Sequence, residues 1–383
     1  MIIGVIGSGA MGTGIAQVAA MAGCSVIVYD NNATALDRSQ SSMKDILEKL
    51  QRKGKIDNAA WILGQIKFSN NLNDLADCTL IIEAIIENLD VKRQLFAALE
   101  LQVCEECILA SNTSSLSITA IAAACTKPER VIGLHFFNPP PLMALVEVVP
   151  AIQTDTKTTE EATQIMRDWG KIPVIAKDTP GFIVNRVARP FYGESLRIYE
   201  EGIADIPTID WAMTSIGGYR MGAFTLMDYI GHDVNYVVTE SVFHSFFFDP
   251  RYKPSFSQKR LLEAGWLGRK SGKGFYNYSE GAIAPKVDED EALGKQILER
   301  VNAMLVNEAV DALYLNVATA ADLELAMTKG VNYPKGLLQL CDEWGAGSVL
   351  RVLDSLYLQY GEDRYRASVL LRKAAKEGFK FVL

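Results

Sequence analysis

The residues best suited to chemistry are a histidine and a glutamate within residues 133–149. His135 lies near the end of one apolar run, Glu147 lies inside a second, and the proline-rich turn Asn138–Leu142 separates the runs. β-Branched and aromatic residues predict that each run is a strand. If the strands pair antiparallel, the two side chains face each other with Cβ atoms about 5 Å apart. The carboxylate would then fix the imidazole tautomer and stabilise an imidazolium, which predicts a general base. The alternative is a core histidine that only hydrogen-bonds to a glutamate.

The element that would place a cofactor beside this pair is a glycine-rich loop at the amino terminus. The apolar run Ile2–Ile6 is followed by the GxGxxG pattern of Gly7, Gly9 and Gly12. A helix of small residues and a second strand ending at Asp30 come next. The glycines permit a tight turn, close approach of a pyrophosphate and close helix–strand packing, and the helix N-terminus attracts phosphate. Asp30 would bind ribose hydroxyls and repel a 2′-phosphate, so the pattern predicts NAD rather than NADP, with FAD as the minor alternative.

Further polar groups lie where ligand contacts are expected. A strand over residues 107–110 opens into Ser111–Ser115, at the kind of strand end where open α/β sheets bind ligands. These hydroxyls and one amide could meet nicotinamide and substrate. Ser115 or Ser117 could also cap the next helix, and both roles can hold at once. A basic segment over residues 49–55 fits either a phosphate-rich substrate tail or a solvated helix face.

Composition argues against several classes of function. The chain has 383 residues, a net charge of −8 and 49% hydrophobic residues, which is usual for a globular protein and leaves no long basic stretch for nucleic acid. It contains no run of about 18 apolar residues, so no membrane span is expected, and no signal peptide is expected either. Six scattered cysteines, with one CxxC at Cys104–Cys107, predict neither a disulfide framework nor a metal site. We expect a cytoplasmic protein without a metal, nucleic-acid or membrane partner.

Four stretches together resemble the L-3-hydroxyacyl-CoA dehydrogenases, which include the 3-hydroxybutyryl-CoA enzymes. They are Gly7–Ile15, Ser111–Leu116, Gly133–Val149 and Lys177–Arg186, and the resemblance covers about residues 1–280. It implies NAD-dependent oxidation of an L-3-hydroxyacyl-CoA to the 3-oxoacyl-CoA, and the reverse, in acyl-CoA metabolism of the fatty-acid β-oxidation type. The alternative is another NAD-linked hydroxyacid or sugar-acid dehydrogenase, similar to the gulonate enzymes, with a substrate that lacks CoA.

The resemblance implies roles for individual residues in catalysis and NAD binding. His135 matches the catalytic base and Glu147 its paired acid. Ser114 and Asn185 match groups that orient the substrate oxygen. Together with the glycine loop (Gly7, Gly9, Met11 and Gly12), the positions that match NAD contacts are Asp30, Glu87, Lys92, Asn112, Ser114 and Asn138.

The resemblance is less complete for the CoA group of the substrate. Lys53 aligns near a lysine that contacts CoA, and Ser114 is the second expected substrate contact. The family's serine that precedes the lysine falls near Ile46, so Ser41 or Ser42 would have to replace it.

The chain as a whole predicts an α/β fold, with a Rossmann-type, mostly parallel sheet domain followed by two tandem all-α domains. The predicted domains are residues 1–178, 179–285 and 286–383, and a linker-like composition over 279–291 separates the last two. Thr179 and Pro180 predict the start of the helix that carries Asn185, with a kink at Pro190.

A repeat links the two helical domains. Arg251-Tyr252 recurs as Arg364-Tyr365. The second copy has no histidine, so we interpret it as structural and expect it to pack against the first in place of a partner subunit. This predicts a monomer with an internal pseudo-dimer and leaves homo-oligomers through other surfaces open. The other recurring positions, offset by 114, are Glu194 and Glu308, Asp210 and Glu324, Ala212 and Ala326, and Met213 and Met327.

Overall fold

The computed structural model describes residues 1–283 and 285–382. These form two compact units, Met1–Phe182 and Ile183–Leu383. The first is α/β and the second is helical, as the sequence predicts. The predicted linker at 279–291 includes residue 284, which lies outside the described residues, and the domain boundary at 285 stays a prediction. Within the described ranges, no helix combines the length and apolar character needed to cross a membrane.

The first unit contains eight strands and six α-helices. One mostly parallel sheet has the strand order 3-2-1-4-5-6-7-8, and only strands 6 and 7 pair antiparallel. The strands are β1 (Ile2–Ile6), β2 (Ser25–Tyr29), β3 (Ile66–Ser69), β4 (Leu80–Glu83), β5 (Ile108–Ser111), β6 (Val131–Phe136), β7 (Leu145–Pro150) and β8 (Ile172–Ile175). The central strands β4, β5 and β6 are fully buried, as expected for a parallel sheet covered by helices, whereas β2, β3 and β8 have exposed positions. The helices are α1 (Ala10–Met21), α2 (Ala33–Arg52), α3 (Ala59–Gly64), α4 (Leu89–Glu100), α5 (Ile118–Ala122) and α6 (Thr156–Asp168).

The second unit consists of α-helices and short turns. Its first helix begins at Val184, so the predicted start at Thr179 is wrong, because Phe182 takes a left-handed conformation (φ 47°) that no helix continues. The helix is interrupted at Ala188, just before Pro190, where proline cannot continue the hydrogen-bond ladder. The helices are α7 (Val184–Val187), α8 (Arg189–Glu200), α9 (Ile206–Trp211), α10 (Ala223–Ile230), α11 (His232–Ser245), α12 (Phe256–Glu263), α13 (Glu291–Tyr314), α14 (Ala320–Leu325), α15 (Leu337–Trp344), α16 (Ala346–Tyr360) and α17 (Val369–Glu377).

The predicted repeat is present in the second unit, where α8–α12 recur as α13–α17. One helix-capping arrangement is the same in both copies. Asp210 accepts hydrogen bonds from the backbone N–H groups of Phe224 and Thr225, at the start of α10. Glu324 accepts the equivalent bonds at the start of α15, 114 residues further on. In each copy a carboxylate satisfies N–H groups that a helix N-terminus leaves unpaired.

The two copies also exchange buried ion pairs. Glu194 of the first copy accepts from Arg300 Nε (2.6 Å) and the Tyr365 hydroxyl (2.8 Å) of the second. Glu308 of the second copy accepts from Arg186 Nε (2.7 Å) and the Tyr252 hydroxyl (2.5 Å) of the first. The second copy therefore packs against the first through reciprocal contacts, as expected from the repeat.

Candidate active site

The predicted facing pair of His135 and Glu147 is present. β6 and β7 pair with His135 opposite Glu147, and imidazole Nδ1 lies 2.6 Å from Glu147 Oε2. Glu147 is fully buried and His135 is 6% exposed. We assign the Nδ1 proton to the bond with the carboxylate, which leaves Nε2 as the proton acceptor. The rings of Phe137 and Phe182 lie 4.5 and 5.9 Å from the imidazole and restrict its position.

The turn between β6 and β7 is tied to other elements of the first unit. It contains the cis peptide bond Asn138–Pro139. Lys171, just before β8, donates from Nζ to the carbonyl oxygens of Pro140 (2.5 Å) and Met143 (2.9 Å), and burial lowers its pKa. Pro140 packs against α1 so closely that a Cβ on Gly14 would lie 2.8 Å from it. The turn thus connects the His135 hairpin to the helix of the glycine loop.

In the glycine loop, Gly7 and Gly12 are required by the fold, whereas Gly9 leaves open space beside the loop. Gly7 has φ +99°, and a Cβ on it would lie 2.6 Å from the Ala84 carbonyl oxygen. A Cβ on Gly12 would lie 1.8 Å from the Gly7 oxygen, whereas one on Gly9 would meet nothing within 4 Å. Gly9 is also the N-cap of α1 and supplies no capping side chain, so the first N–H groups of the helix can bind phosphate. Met11 packs against the core.

Asp30 follows β2 beside this loop. Its Oδ2 accepts from the Ser8 backbone N–H (2.8 Å) and hydroxyl (2.7 Å), and Oδ1 accepts from the Asn32 N–H (2.9 Å). Burial alone raises the pKa of Asp30, but these hydrogen bonds outweigh it and the net pKa is lowered. An ionised carboxylate fits ribose hydroxyls and repels a 2′-phosphate, so the loop and Asp30 together fit NAD.

Glu87 organises the loop that carries Ser114. Its carboxylate accepts from the Thr113 hydroxyl (2.6 Å), the Ser115 hydroxyl (3.1 Å) and the Ser114 backbone N–H (3.1 Å). Burial raises the pKa of Glu87, but the charge of Lys92 and these hydrogen bonds lower it below its usual value. The loop is therefore built around an ionised carboxylate.

The side chain of Lys92 is buried and does not face solvent. Its side chain is 1% exposed, and its Nζ lies 2.5 Å from Glu83 Oε1 and 3.4 Å from Glu87 Oε2. Glu83, at the end of β4, also accepts from the Ser111 hydroxyl (2.7 Å). These groups link the ends of β4 and β5 to the start of α4.

The side chains of Asn112 and Asp178 accept hydrogen bonds from backbone N–H groups of other segments. Asn112 Oδ1 accepts from the Phe136 N–H at 2.8 Å and thereby ties the Ser114 loop to the end of β6. Asp178 accepts from the Ser117 hydroxyl (3.0 Å) and the Thr119 N–H (2.8 Å) at the start of α5. His135, Ser114, Asn112 and Glu87 are thus connected within the first unit.

A cleft of about 500 Å³ opens beside the glycine loop. It lies between α1, α2 and the β6–β7 turn. Lys53, at the C-cap of α2, is exposed and is not among the lining residues, but it follows Ile46 by seven residues and so shares its helix face, about 10 Å further along. The lining residues are Ser8, Gly9, Ala10, Thr13, Gly14, Gln17, Ala35, Arg38, Ser39, Ser42, Ile46, Asn138, Pro139, Pro140 and Pro141.

Asn185 belongs to α7 of the second unit. Its Oδ1 accepts a long hydrogen bond (3.4 Å) from Nη2 of Arg189, one helical turn later. In the described part of the chain, no three His, Cys, Asp or Glu side chains are grouped so that they could hold a metal ion.

Comparison with known proteins decides the family. Residues 2–179 match the family described as 3-hydroxyacyl-CoA dehydrogenase, NAD binding domain, and residues 181–278 and 297–380 match its C-terminal domain. This chain belongs to the 3-hydroxyacyl-CoA dehydrogenase family. The prediction of an NAD-dependent oxidoreductase that acts on 3-hydroxyacyl-CoA is thereby confirmed, and so is NAD as its cofactor.

Individual members of the family are similar over most of the chain. The 3-hydroxyadipyl-CoA dehydrogenase of Escherichia coli is 38% identical over an alignment that covers 97% of each chain. A probable 3-hydroxybutyryl-CoA dehydrogenase of Deinococcus radiodurans is 45% identical over 279 residues, or 73% of this chain and 100% of that one. The crystal structure of 3-hydroxybutyryl-CoA dehydrogenase from Escherichia coli has a TM-score of 0.93 at 36% identity and covers 98% of both chains.

Sequence reasoning missed three residues that support this dehydrogenase site. Glu83 had a usable signal, because an acid at the end of a buried parallel strand is placed where ligands bind. Lys171 and Asp178 had none, since each acts on backbone more than 25 residues away in the chain.

Proposed function

We propose that His135, held by Glu147, is the acid–base group of the dehydrogenase reaction. The observation that supports this most directly is the 2.6 Å contact between Nδ1 and Oε2 across the β6–β7 pair. In oxidation, the neutral imidazole takes the proton of the 3-hydroxyl at Nε2. In reduction, the imidazolium returns it, and Glu147 stabilises the charged ring in between. Ser114, and Asn185 in the second unit, are proposed to orient the substrate oxygen, as the resemblance implies.

The NAD site proposed for this chain consists of the glycine loop, Asp30 and the residues around the Ser114 loop. Gly9 and the α1 N-terminus would hold the pyrophosphate, and Asp30 the adenosine ribose. Lys92 is proposed to act mainly through Glu87, because its ammonium is buried against carboxylates. Bound NAD supplies the hydride acceptor or donor. Asn112, with its oxygen on the Phe136 N–H, positions the loop next to the hairpin, and Asn138 completes the proposed set.

Gly9→Ala is expected to weaken NAD binding about 10-fold or more, equivalent to about 1.4 kcal/mol, with little change in thermal stability. The added methyl meets no protein atom within 4 Å, so it can interfere only with a ligand. Gly12→Ala is the matched comparison, because its methyl would lie 1.8 Å from the Gly7 oxygen and should lower stability and binding together. Titration with NADH and thermal melting measure both quantities. Unchanged NADH affinity in Gly9→Ala would remove this residue from the phosphate site.

We propose that the cleft along α2 holds the CoA group of the substrate. Arg38, Ser42 and Ile46 line it at intervals of one helical turn, and Lys53 continues the same face. Ser42 would therefore supply the hydroxyl that the family's serine provides near the position of Ile46. The basic end of α2 would meet the phosphates of CoA.

A comparison of substrates tests the proposed activity against the alternative of a hydroxyacid lacking CoA. NADH oxidation should proceed with acetoacetyl-CoA and be negligible with free acetoacetate or a free sugar acid. Faster reaction with a free acid would favour the gulonate-type alternative. A role in acyl-CoA metabolism of the β-oxidation type is part of the same proposal.

We also propose that the reciprocal ion pairs between the helical copies take the place of a subunit interface. Sedimentation of the full chain should then give a monomer of about the sequence mass, 42.1 kDa. A dimer that disappears when residues 286–383 are deleted would contradict this proposal, because the interface would then need the copy that is supposed to replace it.

A further inference from the structure

Arg189 in the second unit is a buried cation without an acidic partner. It is 6% exposed, and no carboxylate of the described residues lies within ion-pair distance of it. The other four buried arginines among the described residues of both units each lie 2.6–3.8 Å from a carboxylate oxygen; they are Arg130, Arg186, Arg300 and Arg364. An uncompensated buried charge is destabilising, so its presence calls for a functional explanation.

The guanidinium is held so that one of its edges lacks strong hydrogen bonds. Nη1 donates to the Thr239 hydroxyl at 3.1 Å, and Cζ lies 4.8 Å from the centre of the Tyr192 ring. Nε has no hydrogen-bond partner, and Nη2 makes only the 3.4 Å contact with Asn185 Oδ1. Nε and Nη2 form an edge with two parallel N–H groups, which matches a carboxylate bidentately.

A second buried donor without a hydrogen-bond partner lies close to Arg189. The Tyr333 hydroxyl is buried and has no hydrogen-bond partner, and Tyr333 is close enough to Arg189 to contribute to its electrostatics. Its counterpart in the repeat, Tyr219, donates to Asn302 at 2.8 Å. The position equivalent to Asn302 in the first copy is Ala188. The Tyr333 hydroxyl therefore has no acceptor equivalent to Asn302, because Ala188, the residue before Arg189, occupies that position.

The repeat also shows that the helical fold does not need this arginine. Its counterpart, 114 residues later, is Ala303, which is fully buried in α13. Arg189 is thus particular to the copy that carries Asn185, and the two side chains are in contact at 3.4 Å.

We infer that Arg189 binds a carboxylate at the far end of the substrate's acyl chain, so that the preferred substrate is a short 3-hydroxydicarboxylyl-CoA. This inference rests on the function proposed above, in which Asn185 contacts the 3-oxygen. A carboxylate three carbons beyond C3 lies about 4–5 Å away along C–C bonds of about 1.5 Å. Nη2 of Arg189 and Oδ1 of Asn185 are 3.4 Å apart, so a short acyl chain can contact both side chains. A chain of about six carbons therefore fits the two residues.

The test compares two esters that differ only at the end of the chain. In the NADH-dependent direction, kcat/KM is measured with 3-oxoadipyl-CoA, which ends in a carboxylate, and with 3-oxohexanoyl-CoA, which ends in a methyl group. We expect the native chain to prefer the carboxylate ester at least 100-fold, and Arg189→Met to abolish that preference. Arg351→Met, which removes an exposed arginine of α16, is the matched control and should keep the native ratio.

The outcomes separate this inference from the function on which it rests. A native ratio near 1, or a native ratio retained in Arg189→Met, overturns the role of Arg189 while leaving the dehydrogenase function standing. Inactivity with both esters overturns the proposed function and this inference with it. Arg189→Lys keeps the charge but loses the forked geometry, and it should lower the preference at least 10-fold.

Thermal melting distinguishes recognition from a structural role. Replacing an unpaired buried cation with an apolar side chain of similar length should leave the melting temperature unchanged or raise it. A structural arginine would instead give a lower melting temperature and an equal loss of kcat/KM with both esters, which would contradict the inference.

Discussion

Replacing His135 with glutamine is expected to lower kcat about 10²–10⁴-fold, the range that a positioned acid–base group contributes. The amide of glutamine can still hydrogen-bond to Glu147, whose Oε2 lies 2.6 Å from Nδ1 in the native chain. It cannot take up or release a proton, so in the reductive direction the substrate's 3-oxygen loses its proton donor on the protein. The loss is measured as kcat with acetoacetyl-CoA and saturating NADH.

Cofactor binding separates a loss of chemistry from a loss of structure in this variant. The glycine loop and Asp30 follow β1 and β2, whereas His135 lies on β6, so the Kd for NADH should change by less than about threefold, or about 0.6 kcal/mol. His244→Gln, at an exposed histidine near the end of α11, should keep the native kcat. Full activity in the His135 variant would exclude the residue from acid–base catalysis.

The geometry of this pair could be predicted because it depends on local pattern. Two β-rich runs flank a proline turn, and the midpoint of residues 135 and 147 is residue 141 inside that turn, so a hairpin centred there places the two residues opposite each other, as the structure has them. The glycine loop could be predicted for a similar reason, since its spacing matches what a strand–turn–helix unit needs. At Gly7 and Gly12 a Cβ would collide with protein atoms. Both positions therefore require glycine, and a glycine requirement can be recognised in the sequence.

The surroundings of the pair could not be predicted, because they depend on contacts between distant segments. Lys92 lies in a helix of mixed polarity, where a lysine usually faces solvent, yet it is buried between Glu83 and Glu87. Lys171 reaches back 31 residues to the Pro140 carbonyl. No periodicity in the sequence indicates either contact, and only the packed sheet brings these groups together.

In the helical unit, too, the sequence could predict local patterns but not the contacts between distant segments. The repeat of Glu194 as Glu308, and of Arg251-Tyr252 as Arg364-Tyr365, was evident from residue spacing. The spacing could not show that each glutamate pairs with the arginine and tyrosine of the other copy. Arg189 was not singled out at all, because a buried cation without a partner is evident only once its neighbours are known.

Replacing Glu308 with glutamine is expected to destabilise the second unit by about 3–5 kcal/mol, the loss typical of a broken buried ion pair. Glu308 is 1% exposed, and it binds Arg186 Nε at 2.7 Å and Arg251 Nη1 at 3.4 Å. Glutamine preserves the shape but removes the buried carboxylate that both guanidiniums share. Arg186 then keeps only Asp311 at 3.2 Å, and Arg251 keeps Asp311 at 3.1 Å and Asp249 at 2.9 Å. Urea unfolding at pH 7, followed by circular dichroism, measures the change.

The pH dependence of this loss provides a stricter test. Burial raises the pKa of Glu308, but the charges of Arg186 and Arg251 and their hydrogen bonds outweigh it, so the pKa in the folded chain lies below the ordinary 4.5. The carboxylate therefore stabilises the fold fully above pH 4.5, and this contribution is lost as the pH falls from 4.5 through the lowered value. The difference between native chain and variant should be constant near neutrality and shrink in acid.

A neighbouring substitution shows whether the effect comes from the buried pair or from removing one negative charge. Glu299→Gln changes the same residue type on the same helix, α13, at an exposed position, and should alter stability by no more than about 0.5 kcal/mol. If both variants lose equal stability, or if the Glu308 difference persists unchanged in acid, the exchanged ion pairs do not hold the two helical copies together. A large, acid-sensitive loss confined to Glu308 would mean that the duplicated copy is retained because its charges complete the first.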